Sequence, residues 1–82
     1  MPLYFIDAHD GDFPHCDEEG IELPDDAAAR HYALDALPDM ARDRIPDGDQ
    51  HTFTATARDA CGNVVYVATL VLNGDRGPGW RS

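Results

Sequence analysis

Apolar and polar positions change rhythm along this chain, and each change marks an element. Residues 2 to 8 (Pro-Leu-Tyr-Phe-Ile-Asp-Ala) concentrate aromatic and branched types and predict a first strand. His9-Asp10-Gly11-Asp12 reads as a turn, because Asp-Gly supplies the positive φ that tight hairpins need. A short second strand follows over roughly 13 to 16, weakened by Pro14, which cannot donate to a ladder. Glu19-Gly20 turns again, and Ile21 to Leu23 adds a brief third strand. Pro24 and the N-cap residue Asp25 then open a helix, with Asp26 in the first turn where the helix dipole favours an anion. Ala29, Ala33, Ala36, Leu37 and Met40 share one helical face, and Asp26 stands four residues before Arg30. Pro38 opposes the carbonyl of Leu34 and predicts a kink, with helix resuming to about Arg44 and ending in Ile45-Pro46-Asp47-Gly48-Asp49. Phe53, Ala55 and Ala57 alternate with Thr52, Thr54 and Thr56, the pattern of a half-exposed strand. Asp59-Ala60-Cys61-Gly62 turns the chain into residues 64 to 72, apolar on both faces, before a loose tail over 73–82.

The pattern carries one argument beyond the element list. A strand with one wet face alternates apolar and polar side chains, and two strands here do not. The first presents Tyr4 and Ile6 one way, Leu3 and Phe5 the other. The last presents Val64, Tyr66, Ala68 and Leu70 one way, Val65, Val67 and Val71 the other. A single helix covers one face, so Leu3, Phe5, Val65, Val67 and Val71 form an expected interaction face. Leaving these side chains in water forgoes roughly 7–15 kcal/mol, at about 1.5–3 kcal/mol each. A second copy of the chain is the favoured cover, symmetric dimers being the commonest assembly; a different protein, or the tail folding back with Trp80, are the alternatives.

Composition narrows the partners. With 82 residues the chain makes one domain of modest stability, roughly 4–12 kcal/mol. Sixteen acidic residues face six Arg and no Lys, a net charge of −10. Such a surface repels phosphate backbones and anionic lipid, so no nucleic acid and no membrane is expected, whereas a basic protein partner suits it. Two cysteines, Cys16 and Cys61, make no disulfide framework and no CxxC pair. No apolar run approaches a membrane span and no cationic-then-apolar leader opens the chain, so it is expected to be cytoplasmic with reduced thiols.

Candidate chemistry gathers in residues 7 to 17. His9, Asp12, His15 and Cys16, with Asp10 and Asp17 beside them, have the donor types of a zinc-like site, but the spacing matches neither a zinc pattern nor a calcium loop. The structural reading is stronger: Asp10-Gly11 builds a hairpin, Asp17 starts a turn, and His9 bonds Asp7 or the turn backbone. Cys16 with a histidine could suggest a thiol nucleophile, yet no oxyanion-hole segment accompanies it, and a small, partly buried side chain is the plainer reading. His31 and Asp35 stand four apart as an exposed polar pair. No phosphate-cradling glycine loop is present.

One resemblance joins these segments. At Met1-Pro2-x-Tyr4-Phe5-x-Asp7-x-His9-Asp10-Gly11, Asp17-x-x-Gly20-x-Glu22-Leu23-Pro24-Asp25 and Ala28-Ala29-Arg30, the chain resembles a family of small bacterial proteins of unknown function that open with Tyr-Phe-Phe-Asp-x-His-Asp-Gly. Ala41-Arg42-Asp43 and Arg58-Asp59-x-x-Gly62 extend the resemblance to roughly residues 1 to 72. Ile6 replaces the second Phe, and Pro38 interrupts the helix. The resemblance implies no catalytic or binding residue.

The expected protein is therefore α+β, an antiparallel sheet of four or five strands with one kinked helix on one face, in the order ββ(β)αββ. Residues 1–72 form the domain and 73–82 a flexible tail. Its expected role is that of an acidic, non-enzymatic interaction or regulatory module acting as a homodimer, without a cofactor. Divalent-metal binding through segment 7–17 is the alternative.

Overall fold

In a computed structural model describing residues 1–11, 14–44 and 49–82, β1 (Leu3–His9) runs through the middle of a five-stranded antiparallel sheet. One of its borders carries two short strands, β2 (Pro14–His15) and β3 (Ile21–Glu22). Its other border pairs with β4 (Gln50–Asp59), which pairs in turn with β5 (Val64–Asn73). The helix α1 (Asp26–Arg44) connects β3 to β4 and packs on one face, so the α+β order expected from the sequence holds. Asp12 of the expected turn, Phe13 of the expected second strand and residues 45–48 of the expected helix stop lie outside the described residues.

The helix starts where its capping residue stands. Asp25 accepts the Ala28 N–H on its carboxylate at 2.9 Å, satisfying a donor that the first turn leaves without an intrahelical partner. Ala29, Ala33, Leu37 and Ala41 then recur every four residues and are buried. Opposite them, Tyr4, Phe53, Ala55, Ala57 and Ala68 complete the core. Six of these nine core side chains are alanines, and Phe53 is the large residue buried completely. Alanine on both surfaces lets helix and sheet approach closely, and Tyr4, Leu37 and Phe53 supply the bulk. Pro38 lies inside α1 on its exposed side, where its missing N–H leaves the Leu34 carbonyl without that donor.

Asp26 and Arg30, four apart on the helix, each reach into the sheet. Asp26 accepts the Tyr4 hydroxyl at 2.6 Å, and the Arg30 guanidinium lies 5.5 Å from the centre of the Tyr66 ring. The β4–β5 turn is held by Asp59, whose carboxylate accepts the backbone N–H groups of Cys61 and Asn63. Gly62 follows at φ +88°, a conformation that Cβ-bearing residues resist. A register shift at Ala57/Arg58 marks a bulge near this end of the hairpin.

Candidate functional site

Pairing registers sort the sheet into two faces. Tyr4, Ile6 and Ala8 line up with the buried Ala57 and Ala55 on the helix side, together with Ala68 and Tyr66 of β5. Leu3, Phe5, Asp7 and His9 alternate to the far side, beside Thr52, Thr54, Thr56 and Arg58, and beyond them Val67, Thr69 and Val71. Of the five residues expected as an interaction face, Leu3, Phe5, Val67 and Val71 thus lie on the helix-free side. Val65 differs: next to the bulge it is half-buried and packs against the core cluster. Val67 and Val71 are 54% and 65% exposed, and Val64, level with Arg58, is 57% exposed.

Leu3 and Phe5 are only half-exposed because a polar knot folds over them. Asp7 accepts two bonds from Arg58, at 2.5 Å from Nε and 3.1 Å from a terminal nitrogen, and one from the Asp17 N–H. Arg58 also donates to the Asp17 carbonyl, and its guanidinium sits 5.0 Å from the Phe5 ring centre. Asp17 in turn accepts the N–H groups of Ile6, Glu19 and Gly20. A Cβ on Gly20, at φ +76°, would stand 3.0 Å from Phe5 Cε1 and from the Tyr4 carbonyl oxygen, so the turn lies tight against β1.

These bonds move the titrations in directions the geometry explains. The Arg58 fork holds the Asp7 carboxyl below its ordinary value, helped by the Asp17 N–H and opposed by burial. The Gly20 N–H is the largest cause of the same lowering in Asp17, and the Asn63 N–H in Asp59. Tyr4 is pushed up to about 12, first by its bond to Asp26 and then by burial. Arg58 is raised by Asp7. Every displaced group is accounted for by a bond that holds the fold.

The candidate ligands are dispersed. His9 accepts the Gly11 N–H on Nδ1 at 3.1 Å, the turn-backbone role expected of it. His9 is level with Thr54 on the helix-free side, whereas His15 is level with Ala8 on the helix side. Cys16 is exposed, not partly buried as expected, because the chain there crosses outside the sheet border. Asp12 lies outside the described residues, and among the described ones no three His, Cys, Asp or Glu side chains are placed to hold a metal ion. His31 and Asp35 form their exposed pair at 3.4 Å. Trp80 is 59% exposed, its ring 5.0 Å from the Arg76 guanidinium. Among the described residues no helix is long and apolar enough to cross a membrane.

Sequence reasoning found Asp7, Asp17, Gly20 and Arg58 through the resemblance without finding their connection. The available signal was Arg58 in an otherwise Thr- and Ala-rich strand, a charge needing a partner on the threonine face.

A five-stranded antiparallel sheet with one helix on one side defines a small α+β domain. The chain belongs to the family described as a domain of unknown function (DUF6894), whose model matches residues 3–71. Neither a curated protein nor a solved structure matches it.

Proposed function

We propose that this domain is an acidic, non-enzymatic interaction or regulatory module that works as a homodimer joined through its sheet. One observation carries the reading: Val64, Val67 and Val71 stand exposed on the helix-free side of β5, in a chain of net charge −10. Burying each contributes roughly 1–2 kcal/mol at about 25 cal/mol per Å². The surplus is smaller than the sequence suggests, since the knot half-covers Leu3 and Phe5 and Val65 joins the core. A non-enzymatic role draws support from the displaced groups, all engaged in structural bonds. A reducing, cytoplasmic setting draws support from Cys16 and Cys61, both free and exposed, and a bacterial source from the resemblance of the opening segment.

Sedimentation over a wide concentration range tests the reading. A mass that rises from monomer to dimer is expected; a monomer throughout overturns it. Melting with and without zinc separates it from metal binding, because a ligand stabilises the state it binds. No change is expected, and a rise of several degrees would favour a metal site in residues 7 to 17.

A further inference from the structure

We infer that two copies join edge to edge through β5, antiparallel, with the two-fold axis at Thr69. This deepens the association reading and rests on it. The first support is the direction of the backbone groups. The Gly74 N–H donates to the Asp49 carbonyl at 2.7 Å, so residue 74 faces β4. Alternate residues of an antiparallel strand face opposite borders, which turns Tyr66, Ala68, Leu70 and Leu72 toward β4. Val67, Thr69 and Val71 therefore aim their N–H and C=O groups outward, where, among the described residues, no strand lies. The same alternation carried across β4 to β1 turns Ile6 away from β4, and there its N–H meets Asp17.

The second support is charge. From Val64 to Asn73 the chain carries no ionisable side chain except the Tyr66 phenol, so two acidic copies approach here with the least repulsion. Proteins usually guard such a border with Lys, Pro, a bulge or shortness. β5 is ten residues long, has no Lys or Pro, and its bulge touches only the first residues.

The third support is symmetry. Residues opposite each other in antiparallel strands point to the same face. A two-fold axis therefore passes through a residue position, not between two. Placed at Thr69, it uses the regular stretch 66–72 completely and sets Val67 across from the partner's Val71, twice. Val-x-Thr-x-Val reads the same in both directions about that axis, so the exposed valines cover each other. On the helix side, Tyr66 lies across from the partner's Leu72 and Ala68 across from the partner's Leu70. Both helices then share one side of a sheet with doubled strand number. A foreign strand would satisfy the backbone but has no reason to match this self-complementary order.

Disulfide trapping tests the axis in the full chain with Cys16→Ser and Cys61→Ser. Directly opposed residues have Cα atoms about 5.5 Å apart, within disulfide reach. Thr69→Cys should form a reducible dimer about tenfold or more faster than Val67→Cys alone, the paired thiols being held at high effective concentration. Combining Val67→Cys with Val71→Cys should restore fast trapping. Separately, Thr69→Pro should return the mass to monomer while keeping the fold, since the N–H it removes points outward. A dimer unaffected by Thr69→Pro, with Thr69→Cys no faster than Val67→Cys, would overturn edge pairing and leave association through the sheet face. If Thr69→Pro does not fold, the trapping rates decide alone. A parent protein monomeric at every concentration overturns both readings.

Discussion

The two borders of this sheet solve the same problem in opposite ways. Beyond β1, the outward groups of residues 3 to 9 are met by two dipeptide strands and, between them, by a side chain: β3 pairs with Leu3 and Tyr4, β2 with Ala8 and His9, and the Asp17 carboxylate takes the Ile6 N–H. Beyond β5 nothing among the described residues does this work, although that strand is longer and more apolar. One border is sealed by carboxylates and a glycine turn; the other keeps its donors and acceptors available. The difference teaches that Asp7 and Asp17 of the acid-rich opening segment are taken up in construction. The uncommitted surface lies at the far border, where the chain has no charge.

Breaking the seal should have the largest effect. Asp17→Ala removes the acceptor for the N–H groups of Ile6, Glu19 and Gly20 at once and frees the turn that shields Phe5. A loss of about 2–4 kcal/mol is expected, since bonds to a charged acceptor are strong and orphaned donors are costly. Urea denaturation measures it. A loss below about 0.5 kcal/mol would mean that the turn is incidental to the fold. Gly20→Ala should follow at about 1–3 kcal/mol, because a Cβ there meets backbone and ring carbon at 3.0 Å with φ at +76°.

Acid should act on the sealed side as well. Asp7, Asp17 and Asp59 all titrate lower in the folded chain than the ordinary value of 3.8. Their contribution is fully present above that value and is lost as pH falls toward the lowered folded values. Stability should hold to about pH 5 and decline below about pH 4. Arg58→Met should flatten part of that decline, since it removes the main cause of the Asp7 displacement. At the alkaline end Tyr4 runs the other way. Its folded value of about 12 lies above the ordinary 10.0, so stability is intact below pH 10 and falls between pH 10 and 12 as the unfolded chain ionises first. Tyr4→Phe should lose that alkaline step, read by thermal melts across the range.

Much of this arrangement was legible in advance, for local reasons. The Asp25 cap, the four-residue spacing of Ala29, Ala33 and Leu37, the Thr/Ala alternation of β4 and the Asp59–Gly62 turn are short-range signals, and each appears where expected. The Asp7–Arg58 pair was not legible, because 51 residues separate its members and strand order decides that they meet. A strict two-residue period places Val65 with Val67 and Val71, but a bulge interrupts that period and Val65 packs against the core. Cys16 escaped for a similar reason: its exposure depends on a chain path outside the border, not on its own chemistry. The direction of the β5 backbone groups also needs a register, which pattern alone does not supply.

The smallest effect should come from the open border, and it sharpens the contrast most. Val67→Thr and Val71→Thr alter side chains already 54% and 65% exposed, on a face where Thr52, Thr54, Thr56 and Thr69 stand in the same rows. Threonine keeps the branched Cβ that suits a pleated strand, and its hydroxyl meets water there without desolvation. At concentrations where the chain is monomeric, folding stability should stay within about 0.5 kcal/mol of the parent for either change. The double variant should nevertheless weaken self-association, because the cross-axis contacts lose two methyl groups per copy. A loss of monomer stability as large as that of Gly20→Ala would mean that the valines already pack within one chain, and that the two borders are not different in kind.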